Sequence, residues 1–168
     1  MARIDFFIEK CQTLGITEKE FGICDNDDAA EKTPAYVSFA DKHKWCATVI
    51  NNSGNSLNFT AVDNCIEVYR ENGDIENRCD AMLSNQEYLI FIELKVVRKN
   101  WLSHAVEQLQ ATIDVFKENN DISRYNKIKA FACNRKHPNF SYSNKELKQV
   151  FFHKNGFRLY DQATIEIK

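Results

Sequence analysis

Three side chains in the middle of the chain have the types and spacing to do chemistry together: Asp80, Glu93 and Lys95. Residues 88–97 read Tyr-Leu-Ile-Phe-Ile-Glu-Leu-Lys-Val-Val, an almost continuous apolar run of the kind found in a strand covered on both faces. Glu93 and Lys95 interrupt it two residues apart, so a strand puts both on one face. A charge buried without a partner is costly, and such groups persist when they are paired, metal-bound or used in a reaction. Asp80 sits in an upstream strand, residues 78–83, joined to the Glu93 strand by a short turn at residues 84–87. Pairing Leu83 with Ile90 sets Asp80 directly opposite Glu93. Pairing Leu83 with Tyr88 sets it opposite Phe91, diagonal to Glu93, and a one-residue slip sends it to the other face. In the first two registers two carboxylates and an ammonium group converge. Two acids can hold a divalent cation through hard oxygen ligands, and a lysine beside them can orient a water or stabilise developing negative charge. The plainer alternative is a strand end that emerges into solvent with Glu93 and Lys95 as surface residues.

The elements that must position these groups follow from hydrophobic periodicity. Residues 101–117 form the best helix in the chain, with Leu102, Ala105, Val106, Leu109, Ile113 and Phe116 in one apolar stripe and Asn100 as the expected N-cap. Residues 4–14 predict a first helix, with Ile4, Phe7, Ile8, Cys11 and Leu14 on one face and Gly15 as its stop. Thr17 and Glu20 spell a capping box for a short second helical turn. Residues 25–33 are an acidic, polar loop ending at Pro34. Residues 44–50 and 57–62 alternate as strands around a turn-rich 51–56, which predicts a β-hairpin. Residues 63–70 are ambiguous, 71–74 are a turn, and 127–133 are a strand. A last helix starts at Ser143 or Asn144 and stops at Gly156, and residues 157–167 supply closing strands. The expectation is one mixed α/β domain spanning residues 1–168, without linker, repeat or low-complexity tract.

With 168 residues, 43% hydrophobic and 27% charged, the chain can bury a core, and disorder is excluded. No apolar run approaches the roughly 18 residues of a membrane span. Asp5 and Glu9 interrupt the start where a secretory signal needs apolar residues, so a cytoplasmic location and no membrane partner are expected. The six cysteines form no CxxC pair, which predicts six reduced thiols used as core filler rather than a zinc site or disulfides. Charge is segregated. Residues 1–94 hold seventeen acids against eight bases, whereas residues 124–158 hold nine bases against Glu146. Such a field can steer a polyanion, or the two halves can neutralise each other or pair with a partner.

The pattern of Asp80, then Glu93-Leu94-Lys95, then a helix resembles the PD-(D/E)xK nuclease-like superfamily, which includes many restriction endonucleases, junction resolvases and recombination exonucleases. Asp80 matches the first acid, Glu93 the second and Lys95 the lysine, over about residues 63–116. Cys79 stands where a proline often precedes the first acid. Gln108 looks like the helix glutamine of some branches, and Thr112 stands where those branches have a tyrosine. The wider phrasing, with Lys44-Trp45-Cys46-Ala47, Arg78-Cys79-Asp80 and 130–134, looks like small bacterial members. The resemblance implies a restriction-endonuclease-like mixed central sheet flanked by helices, and a Mg2+-dependent nuclease, with Mn2+ as substitute, acting on DNA. It implies that Asp80 and Glu93, with Glu67 as a candidate third acid, hold the cation. Lys95 would position or help deprotonate the attacking water, and Gln108 would orient the lysine or the substrate. Arg98, Lys99, Arg135 and Lys136 are the expected nucleic-acid contacts, and Phe140 could stack on a base. Asp63 and His104 rank lower, as a cap residue and a helix-surface residue. Two rival functions are a non-catalytic binding, immunity or regulatory protein on the same fold and an RNA-acting nuclease. A homodimer or a protein partner is a further expectation, since cutting two strands needs two sites.

Overall fold

Alternation between two cores organises the fold, which a computed structural model describes for residues 3–26, 32–97, 100–136 and 144–168. In chain order the strands are β1 (Gln12–Ile16), β2 (Glu20–Cys24), β3 (Tyr36–Ser38), β4 (Ala47–Asn51), β5 (Leu57–Ala61), β6 (Ala81–Ser84) and β7 (Tyr88–Lys95). Helix α1 (Trp101–Asn119), β8 (Lys127–Asn134), α2 (Lys145–Asn155), β9 (Arg158–Tyr160) and β10 (Thr164–Ile167) follow. A six-stranded sheet runs in the order β1-β5-β6-β7-β8-β9, and a four-stranded sheet in the order β10-β4-β2-β3. Within the larger sheet β5, β6 and β7 are antiparallel, while β7, β8 and β9 are parallel. The protein is thus mixed α/β. Successive residues of β7 serve different cores: Leu89 and Phe91 pack with Leu102, Leu109, Ile113 and Phe116 of α1, whereas Tyr88, Ile90 and Ile92 pack with Phe21, Ile23 and Val49 of the smaller sheet. That double burial is why β7 reads as a continuous apolar run.

The expectation of helices flanking the sheet holds for one face. The four-stranded sheet covers the other. The predicted helix over residues 4–14 is a single 3-10 turn at Glu9–Cys11 followed by β1, and the predicted helical turn after Thr17 is β2. Local spacing favoured a helix there, but Ile8 and Leu14 of its stripe are exposed, and the segment instead pairs Gln12 with Thr60 on β5. Gly22 of β2 carries the ring of Trp45 against its backbone, 2.1 Å from where a Cβ would stand, so a larger residue displaces the indole.

The predicted hairpin is also absent. β4 pairs with β2 and β10 in the smaller sheet, and β5 pairs with β1 and β6 in the larger one. Both strands aim their apolar residues, Val49 from one side and Leu57 and Phe59 from the other, into the same core between the sheets. Alternation around a turn is the same for a hairpin and for a chain crossing between packed sheets. Asn51 makes the crossing: buried, it donates from Nδ2 to the Asn55 carbonyl at 2.8 Å and accepts from Ser53 Oγ at 3.1 Å. Asn100 does precede α1, but in the left-handed region (φ 53°) without a side-chain cap bond. The expected loop at 25–33 lies largely outside the described residues.

Two of the six cysteines are not reduced. Cys11 and Cys65, 54 residues apart in sequence, are joined in a disulfide with their Cα atoms 5.9 Å apart, while Cys24, Cys46, Cys79 and Cys133 are free and buried. Close-spaced motifs could not show this pair, because only the fold brings the start of β1 against residues 62–68. Among the described residues no helix is long and apolar enough to cross a membrane.

Closing a loop of that length restricts the unfolded chain by about 4 kcal/mol at the chain-entropy limit. Replacing Cys11 and Cys65 together by Ala should lower stability by roughly 2–4 kcal/mol under oxidising conditions. Urea unfolding with and without dithiothreitol checks this: the reductant should weaken the native chain and leave the double variant unchanged.

Candidate active site

The β6–β7 ladder pairs Ala81 with Ile92 and Leu83 with Ile90, so the next step along it sets Asp80 opposite Glu93. Of the registers the sequence allowed, this is the one that brings the two acids face to face. Side-chain parity does the rest. Glu93 and Lys95 continue the row of Leu89 and Phe91 toward α1, and Asp80 continues the row of Met82 toward the same layer. The acids lie at the end of the sheet where β7 and β8 finish, beneath the helix.

Lys95 holds the centre. Its Nζ pairs with Glu93 Oε2 at 2.8 Å and donates to Gln108 Oε1 of α1 at 2.5 Å. Asp80 Oδ2 accepts the Leu94 backbone N–H at 2.7 Å, which fixes that carboxylate against β7. Glu93 is 1% exposed and Asp80 8%, whereas the Lys95 side chain keeps 22%, so the cluster meets solvent at the lysine. Asp80 and Glu93 lie within hydrogen-bonding reach of each other, yet Glu93 Oε1 has no hydrogen-bond partner among the described residues. Two ionised carboxylates cannot satisfy one another; a shared proton or a cation can. Burial pushes Asp80 up to about 6, with the charges of Asp25 and Asp63 adding to it and the bonds from Glu93 and the Leu94 N–H opposing it. Burial and then the neighbouring Asp80 push Glu93 well above the usual carboxylate range, against the pull of Lys95.

Residues the sequence reading ranked low, or passed over, frame this cluster. Thr112, noted there only as a departure from a family pattern, is fully buried on α1; its Oγ1 accepts the Cys79 N–H at 2.7 Å and donates to the Gln108 carbonyl at 3.1 Å. The helix that supplies Gln108 is thereby tied to the residue before Asp80. Arg78 pairs with Asp63 at 3.0 Å and donates to the Ile66 carbonyl at 2.5 Å, closing the irregular stretch that leads into β6. Asn134 of β8 pairs with Lys95 in register, donates from Nδ2 to the Val97 carbonyl at 2.6 Å and accepts the Lys136 N–H at 3.0 Å. Asp25 acts on Asp80 only through space, so no local motif could reveal it. Burial pushes the thiols of Cys79 and Cys133 up, which leaves Cys79 a packing residue beside Asp80 rather than a thiolate nucleophile.

Other candidates are not gathered here. Glu67 is exposed and lines a surface hollow with Arg3, Asp5 and Lys10. His104 is exposed on α1, 3.9 Å from Glu107. Arg135, half-buried, and Lys136, exposed, follow the end of β8 next to Lys95. Arg98, Lys99 and Phe140 lie outside the described residues. Among the described residues no group of three or more His, Cys, Asp or Glu side chains is placed to hold a metal ion, so the acid pair stands as two carboxylates. Comparison with family models, with curated proteins and with solved structures finds no match.

In metal-free protein both acids bind protons more tightly folded than unfolded. For Asp80, stability from that source is fully present below about pH 4 and is lost as pH rises through about 6. For the Asp80 shift alone the loss is on the order of 3 kcal/mol. Asp80→Asn and Glu93→Gln should therefore each raise stability at about pH 8 and flatten its decline from about pH 5. Urea midpoints across that range in the presence of a chelator read the effect, and a variant less stable than the native chain at the upper pH would contradict it.

Proposed function

We propose that this protein is a metal-dependent phosphodiesterase, a nuclease acting on DNA, built on a restriction-endonuclease-like form of its mixed α/β fold. One observation carries the reading: two buried carboxylates stand opposite each other with one oxygen lacking a donor among the described residues, and a lysine anchored by a helix glutamine stands beside them. Hard oxygen ligands without a proton donor suit Mg2+ or Mn2+, and Asp80 and Glu93 would hold it. When bound, such a cation acts as a Lewis acid on a phosphoryl oxygen and makes water a stronger nucleophile.

The chain's own residues do the positioning. The Leu94 N–H fixes the Asp80 carboxylate, and the Thr112 hydroxyl fixes the backbone just before it. Gln108 holds the Lys95 ammonium at the solvent-facing edge of the cluster, where it can donate a hydrogen bond to a water or to a phosphate oxygen. Glu93, buried under α1, pairs with that ammonium at 2.8 Å and so holds a cation where negative charge develops. Arg135 and Lys136, beyond the same end of β8, are suited to phosphate contact.

Calorimetric titration of the native protein with Mn2+ should show binding that Asp80→Asn and Glu93→Gln each abolish; binding unchanged in either variant removes the metal from these acids. Lys95→Ala should lower the chemical step at least about a hundredfold while leaving Mn2+ affinity intact, because lysine is no ligand. The readout is single-turnover cleavage of single-stranded, double-stranded and branched DNA, and of RNA, with Mg2+ or Mn2+. A native protein that cuts none of them is better read as a binding or immunity protein on this fold.

A further inference from the structure

The basic part of the chain folds around a second feature, which shares no lining residue with the acid pair. Where β8 begins, β9 forms the edge of the sheet and α2 ends, a cleft of about 390 Å3 is lined by Lys127, Lys129 and Arg158 together with Phe152, Phe157 and Tyr160. No carboxylate of a described residue lines it. Cations and rings alternate: Lys129 Nζ lies 5.6 Å from the Tyr160 ring, the Arg158 guanidinium 5.6 Å from Phe152, and Lys127 5.0 Å from Tyr88. Lys127 shares its charge with Glu87 at 3.3 Å, whereas Lys129 and Arg158 form no ion pair with a described residue. Phe152 is 42% exposed, so ring surface remains for a ligand. Lys129 precedes Ala132, the β8 partner of Glu93, by three residues, roughly 10 Å of strand rise, and Arg158 pairs with Lys129 from the strand on the far side of β8.

We infer that this cleft binds single-stranded nucleic acid, with phosphates on Lys129 and Arg158 and an unpaired base on Phe152. Lys129 and Arg158, without a carboxylate partner among the described residues, match a polyanion, and the interleaved rings ask for planar groups that a duplex keeps stacked inside itself. The cleft is too small for a double helix. Binding here requires no metal and no turnover, so it goes beyond the nuclease reading; in such an enzyme it would hold the strand away from the scissile bond.

The test is fluorescence anisotropy of a labelled oligothymidylate with the full chain in a chelator, over a series of salt concentrations. The native protein should bind with a linear log–log salt dependence. Lys129→Gln combined with Arg158→Gln should weaken binding at least tenfold and flatten the slope by about 1.4, two contacts at roughly 0.7 each. Phe152→Ala, an exposed position, should weaken binding roughly tenfold and leave the slope unchanged, the signature of lost stacking. Circular dichroism confirms that each variant is folded. Glu93→Gln should bind like the native chain, so failure of the catalytic reading leaves this result standing. The inference is overturned if the oligonucleotide does not bind or if Phe152→Ala binds as the native chain does. It is also overturned if duplex DNA binds as tightly, or if poly-glutamate displaces the strand equally well, which marks an acidic protein surface as the ligand.

Discussion

Two carboxylates set opposite each other under a helix make an arrangement that the fold must hold against its own electrostatics. Burial raises the proton affinity of both, each raises that of the other or depends on it for a hydrogen bond, and Lys95 offsets only part of the cost. A packed apolar pair at the same positions would stabilise the sheet more. The surroundings are therefore stiff. The Leu94 N–H of β7 fixes Asp80, the Gln108 amide of α1 fixes Lys95, and the Thr112 hydroxyl of the same helix fixes the backbone just before Asp80.

Stiffness extends outward from there along the backbone. β7 is covered on both faces and flanked on both edges, so its side-chain directions cannot slip without sending Leu89 and Phe91 into the wrong core. The stretch between β5 and β6 is irregular, and three devices close it: the disulfide from Cys65 to Cys11, the Arg78–Asp63 pair, and the bonds from the Val62 and Asp63 N–H groups to the carbonyls of Asp80 and Cys79. Asp80 therefore enters its strand from a tethered segment rather than from a free loop.

What was legible in the sequence had a local cause. The stripe of α1, the glycine stop of α2 at Gly156 (φ 81°) and the double-covered β7 all follow from periodicity within one element. Glu93 and Lys95 share a face for the same reason, and the facing position of Asp80 was among few registers. The illegible parts depend on distant partners. Residues 4–14 carry helical spacing and Thr17 with Glu20 spells a capping box, yet β1 and β2 satisfy their backbones against β5, β3 and β4. β4 and β5 look like a hairpin because two sheets facing one core produce the alternation of one sheet with one wet face. Thr112, Asn134 and Asp25 act on the cluster through contacts or fields that no spacing rule encodes, and Cys11 finds Cys65 only in the folded chain.

The charge segregation gains meaning from the strand order. The acidic half uses bases of its own for Lys42–Glu20, Arg70–Glu76 and Arg78–Asp63, while Lys127–Glu87 reaches across to it from the basic stretch. Because β8 and β9 lie next to β7, the basic residues occupy the neighbouring strands and α2. The buried acids thus lie beside the last residues of β8, and the cleft cations line its first residues and β9. Mutual neutralisation would place the pairs between the halves, and Lys129 and Arg158 sit instead over aromatic rings. An anionic chain approaching this surface is attracted at the basic edge, and at the acid pair it meets the Lys95 ammonium before the buried carboxylates.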